Sequence, residues 1–171
     1  KGSLYGLPKD LGPYAIVYNK DLLKAIIAER GLSIELPNPD VPMTWDQFVE
    51  YLKAITGNHD GKKIYGIGYY ELMAAVYSNN ANFFDDAVKK QTITDKNFID
   101  AVQFVADLSI KHKVAPSADE QSSQNSFQRF LNQGCVFTFM GPWDCKQFWN
   151  DLPFEFDLMP TPVGPAEGAK S

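Results

Sequence analysis

The stretch Cys135-Val136-Phe137-Thr138-Phe139-Met140-Gly141-Pro142-Trp143 decides the fold. Residues 136–140 are apolar apart from Thr138, a run too short for a buried helix and typical of a strand covered on both faces. Gly141 and Pro142 break that strand. Proline's fixed φ and missing N–H suit the first position of a helix, so strand passes to helix with almost no loop. This is half of an α/β unit.

The same alternation appears upstream and downstream. Residues 14–18 (Tyr-Ala-Ile-Val-Tyr) form another short apolar run, and Asn19 can cap a helix carrying Leu22, Leu23, Ile26 and Ile27. Gly31 suits that helix's end. Pro37, Pro39 and Pro42 enforce an extended loop. Thr44 and Gln47 make a capping box, Met43 can staple against Phe48, and Phe48, Tyr51, Leu52 and Ile55 give the buried stripe. Residues 63–68 read as a strand and 71–79 as a helix with Leu72, Ala75 and Val76 facing in. Asp95 caps a long helix in which Phe98, Ala101, Val102, Val105 and Leu108 recur at helical spacing. A shorter one carries Phe127, Phe130 and Leu131 and closes at Gly134, and residues 154–159 read as the last strand. Strands alternating with helices predict an α/β fold, a largely parallel sheet flanked by helices.

Composition narrows the function classes. The chain has 171 residues, 44% hydrophobic and 22% charged, which suits one globular domain. A net charge of -5 with scattered basic residues argues against nucleic acid as a partner. No apolar run reaches the ~18 residues of a membrane helix. The ends, Lys1-Gly2-Ser3 and Gly168-Ala169-Lys170-Ser171, read as cuts through a longer sequence. Cys135 and Cys145 are the only cysteines and lie near no histidine, so no metal or cofactor is expected and free thiols are. His112, at a helix C-terminus, reads as a favourable charge placement. Aromatics are abundant at 13%.

Open α/β sheets gather ligands at the carboxyl ends of their strands. Two turns meet that rule: Tyr69-Tyr70-Glu71, and Gly141-Pro142-Trp143-Asp144. An indole presented by the Gly-Pro turn matches the C–H face of a sugar ring, and Glu71 and Asp144 could accept hydroxyl bonds. Trp143 could instead fill the core, and the two tyrosines could be half-buried structure. Glu71 and Asp144 could also be the carboxylate pair of a glycoside hydrolase, which needs them within ~10 Å. The acids beside aromatics equally suit a polyamine, and a peptide ligand or an adhesion module is open as well.

Seven pieces in register extend the reading: Leu4-Tyr5-Gly6-Leu7-Pro8, Tyr18-Asn19-Lys20-Asp21-Leu22, Thr44-Trp45-Asp46, Lys63-Ile64-Tyr65-Gly66, Phe130-Leu131-Asn132-Gln133-Gly134, Gly141-Pro142-Trp143 and Met159-Pro160-Thr161-Pro162. Together they resemble the middle of the family 1 extracellular solute-binding proteins of ABC importers, the maltose-binding-protein-like group. The resemblance implies a fragment covering one lobe of a two-lobed, type II periplasmic-binding-protein fold. Residues 1–18 would hold the first hinge crossing and the incoming strand, and 156–171 the exit strand and second crossing. It implies a protein outside the cytoplasm, in the periplasm or lipid-anchored at the membrane's outer face, that delivers a sugar or oligosaccharide to ABC permease subunits without covalent chemistry. It places Trp143, with Gly141, on the sugar, and Tyr69 and Tyr70 at another stacking element. Asn79-Asn80-Ala81, where relatives often carry Asn-Gly-Gly, departs from the pattern.

Overall fold

The computed structural model describes residues 6, 7, 9 and 12–171, apart from the side chain of Asp151. Leu4, Tyr5 and Pro8, and with them part of the hinge crossing expected over 1–18, lie outside the described residues. The described elements run β1 (Ala15–Asn19), α1 (Lys20–Arg30), α2 (Trp45–Ile55), β2 (Gly57–His59), β3 (Lys62–Ile67), α3 (Leu72–Ser78), α4 (Lys96–Ile110), α5 (Ala118–Ser123), α6 (Ser126–Leu131), β4 (Cys135–Met140), α7 (Pro142–Asp151) and β5 (Phe156–Met159).

Local signals set most helix ends. Asn19 Oδ1 accepts from Leu22 N at 2.8 Å, and Gly31 closes α1 in the left-handed region at φ 59. A side chain is strained there, and glycine is not. Thr44 and Gln47 form the full capping box of α2. Asp95 precedes α4 but makes no side-chain cap bond, against the expectation. On α4, Phe104 joins Phe98, Ala101 and Leu108 in the core, whereas Val102 is exposed.

The sheet order is β2-β3-β4-β1-β5, flanked by helices as an α/β fold requires. The expected largely parallel pairing needs correction. Only β3 with β4 is parallel; β1 runs antiparallel to both neighbours, and β2 pairs antiparallel with β3. The physical reason lies in the connections. Helical crossovers make β3, β4 and β5 co-directional, but β1 slips between β4 and β5 in the opposite sense. The β2–β3 hairpin turns at Asp60-Gly61, where φ is 49 and 73, the paired positive values of a tight hairpin turn.

Both faces of the sheet are packed. Ile16 and Tyr18 of β1 join a large cluster with α1, α2, α3 and α4, while Val17 joins Tyr65, Phe130, Cys135, Met140 and Phe148 beneath α6 and α7. Trp45 stacks on Phe104 with centroids 4.1 Å apart. Residues 118–123, not expected to be helical, form α5 through a second capping box, Ser117 with Glu120. Glu120 then ties α5 to β3: its carboxylate accepts from the Tyr65 hydroxyl and, at 3.2 Å, from Lys63 Nζ. Cys135 and Cys145 are free thiols, the first buried and the second partly so.

Candidate functional site

The register brings four chain segments to one end of the sheet. Ala15 lies opposite Met140, Ile16 opposite Met159, and Ile67 beside Phe137. The carboxyl ends of β3, β4 and β5 therefore meet the amino end of β1. Tyr69 and Glu71 follow β3, Gly141 and Trp143 follow β4, Thr161 follows β5, and Tyr14 precedes β1.

Trp143 enters on the first turn of α7, with Pro142 at the helix start. Its indole is 62% exposed, so it is presented and not part of the core. The six-membered ring folds back over Gly141, where a Cβ would come within 2.2 Å of it, a distance no side chain tolerates. Gly141 N donates to Asp144 Oδ2 at 3.2 Å, so Asp144 fixes the start of the helix that carries the indole. Tyr14 packs edge-on to Trp143, with centroids 5.4 Å apart and planes at 81°.

On the β3 side, the Tyr69 hydroxyl donates to Glu71 Oε2 at 3.1 Å. The other carboxylate oxygen of Glu71 accepts from Met73 N at 3.4 Å and so caps α3. Burial, then the Glu71 charge and hydrogen bond, then Tyr14, push the Tyr69 hydroxyl up to about 12, so it remains a neutral donor. An open groove of about 400 Å³ continues from here, lined by Tyr14, Glu71, Met73, Ala74, Tyr77, Ser78, Thr161, Lys170 and Ser171.

Tyr70 is a correction. It is 3% exposed and packs against Phe104 and Phe139, at 5.1 and 4.8 Å between centroids, and against Phe48. Burial raises its pKa. Three rings from separate elements converge on it, which adjacency to Tyr69 did not reveal. Of the sequence-predicted residues, Tyr69, Glu71, Gly141, Trp143 and Asp144 stand at this end of the sheet, and Tyr70 lies beneath it. Glu71 and Asp144 both serve helix starts. The expectation for His112 also changes: burial first, then Lys53 and Lys111, lower its pKa, so it is no cationic cap at neutral pH.

The sequence reading missed Tyr14, Tyr77, Met73 and Thr161. The carboxyl-end rule passes over Tyr14 because β1 is reversed and offers its amino end. Its one signal is the preceding Gly12-Pro13, which cannot belong to a central strand. Among the described residues no group of three or more His, Cys, Asp or Glu could hold a metal ion. Among the described residues no helix is long and apolar enough to cross a membrane.

An aromatic and hydrogen-bonding shelf on the rim of an α/β sheet defines a candidate ligand-binding lobe. The chain belongs to the bacterial extracellular solute-binding protein family, whose sequence profile matches residues 1–169. It is similar to the arabinooligosaccharide-binding protein of Bacillus subtilis (strain 168), 24% identical over 99% of this chain and 38% of that protein. In structure it is similar to an ABC substrate-binding protein from Listeria monocytogenes in complex with cycloalternan, with TM-score 0.75, 23% identity and coverage of 90% of this chain and 38% of that one. Maltose-bound MalE3 of T. maritima gives TM-score 0.69 and 24% identity, over 93% of this chain and 40% of that one. The chain thus spans about two-fifths of the length of the relatives it matches. Those relatives are binding proteins.

Proposed function

We propose that this chain is one lobe of the solute-binding component of an ABC importer, and that the whole protein binds a sugar or oligosaccharide outside the cytoplasm for delivery to permease subunits. The observation that carries this reading is the exposed Trp143 indole packed on Tyr14, which lines one groove with Glu71, the hydrogen-bond partner of Tyr69. An aromatic face takes the apolar side of a pyranose, while a neutral phenol and a carboxylate offer hydroxyl-directed hydrogen bonds at its rim. Gly141 makes room for the indole, and Asp144 supports the turn. The lobe does no covalent chemistry in this reading; the second lobe closes over the ligand and excludes water. Residues 1–18 and 156–171 carry the two hinge crossings, supported by the direct pairing of β1 with β5. The protein works in the periplasm or anchored at the outer face of the membrane.

Thermal-shift screening of the complete two-lobed protein against a sugar panel tests this. A ligand at a hundredfold excess over its Kd adds about 2.7 kcal/mol to the native state, a shift of several degrees. A shift with polyamines or peptides and none with sugars would overturn the sugar assignment. Hydrolysis of a chromogenic glycoside, lost in Glu71→Gln, would replace binding with catalysis.

A further inference from the structure

Tyr14 stands on the segment leading into β1, yet among the described residues the ring packed on it belongs to α7, across the pairing of β1 with β4. The edge-to-face contact with Trp143, 5.4 Å between centroids at 81°, is the geometry aromatic pairs prefer. Two glycines complete the seat. A Cβ on Gly141 would overlap the indole, and one on Gly12 would come within 3.3 Å of Trp143 Cζ3. The indole therefore lies against bare backbone from both the β4–α7 turn and the segment before β1, with Tyr14 as the only side-chain ring against it among the described residues. Tyr14 is itself 42% exposed and lines the groove that Glu71, Met73, Tyr77 and Thr161 continue. Its hydroxyl also lies close enough to Tyr69 to raise that phenol's pKa.

We propose that Tyr14 is the positioning residue for Trp143: its ring edge fixes the indole's orientation, and through the indole sets affinity for a planar-faced ligand. This rests on the reading of Trp143 as a ligand-binding residue. A free Trp on an exposed helix start samples several staggered rotamers, and each rotamer frozen on binding costs affinity. A ring clamped before the ligand arrives avoids that cost. The clamp also links the segment before β1 to the site, so a shift of that segment moves the indole.

The test uses the complete protein labelled with fluorotryptophan, the Trp143 resonance being assigned by its loss in Trp143→Phe. In Tyr14→Ala without ligand, fluorine NMR should show that resonance moved toward its unfolded position; in Tyr14→Phe, which keeps the ring, it should stay. Affinity for the best sugar of the panel should fall about two- to tenfold in Tyr14→Ala, the range an aromatic pair supports, and stay within twofold in Tyr14→Phe. If Tyr14→Ala does not fold, Tyr14→Leu keeps bulk without a ring and answers the same question. An unmoved resonance, or equal losses in Tyr14→Phe and Tyr14→Ala, would overturn the proposal. If no sugar binds the unaltered protein, the sugar-binding reading fails while the ligand-free spectrum still decides the role of Tyr14.

Discussion

Ile16 on β1 lies opposite Met159 on β5, so the first and last of the described strands are hydrogen-bonded neighbours. Both residues are buried in the larger cluster, Ile16 completely. Truncating a fully buried isoleucine removes its transfer free energy and leaves a cavity, typically ~2–5 kcal/mol. Ile16→Ala should lower the unfolding free energy from urea titration by that amount at unchanged m, with amide exchange accelerating in both β1 and β5. Exchange confined to β1 would show that β5 is held by something other than this pairing.

Trp143 and Tyr70 should behave as opposites. Trp143→Ala should leave the melting temperature of the complete protein nearly unchanged and weaken sugar binding by about 2 kcal/mol or more, as central aromatic anchors do. Tyr70→Ala should destabilise the fold by about 3 kcal/mol or more, because it empties a site between Phe48, Phe104 and Phe139. Calorimetry and titration on the two variants separate the outcomes, and a folding defect in Trp143→Ala would remove it from the site.

Glu120 gives the fold an acid-sensitive tie. The Tyr65 hydroxyl first, then the Ser117 backbone and side chain and Lys63, lower its pKa from 4.5 to about 2. A folded pKa below the unfolded one means stability that is fully present above about 4.5 and is lost as the pH falls from there toward 2. The carboxylate is 41% exposed, so solvent screening reduces its share to about 1 kcal/mol. Glu120→Gln should cost that much at pH 6 and nothing near pH 2, read from urea midpoints at the two pH values. Equal costs at both would assign the loss to packing.

The cysteines should report burial. Cys135 is fully buried, which pushes its thiol up to about 12, so the reactive thiolate is scarce at neutral pH. Native-state alkylation followed by mass spectrometry should label Cys145 before Cys135, and adding reductant should leave the melting temperature unchanged. A drop of several kcal/mol on reduction would reveal a disulfide.

Much of this was legible because it is local. Asn19, Thr44 with Gln47, Gly31 and Pro142 each act on backbone within three or four residues, so their roles could be read in place. What failed was set at a distance. β2 (Gly-Asn-His) has no apolar pattern and is a strand only because β3 offers it partners. α5 (Ala-Asp-Glu-Gln-Ser-Ser) has no apolar stripe and is held by its capping box and by Tyr65. The direction of β1, the burial of Tyr70 and the arrival of Tyr14 beside Trp143 all depend on segments more than a hundred or a few tens of residues away. Strand periodicity carries no sign for direction.

The reversed β1 also orders events in time. Its neighbours in the sheet are β4 and β5, and α1, α2, β2, β3, α3, α4, α5 and α6 all come between it and β4 in the chain. A ribosome makes the apolar run of β1 first and its earliest partner only after more than a hundred further residues, at roughly 5–20 residues per second. For those seconds the strand has neither of its described partners, and β5, made later than β4, has no place in this sheet until β1 is seated. The nascent chain thus carries an apolar strand without its described sheet partners for the whole interval between β1 and β4.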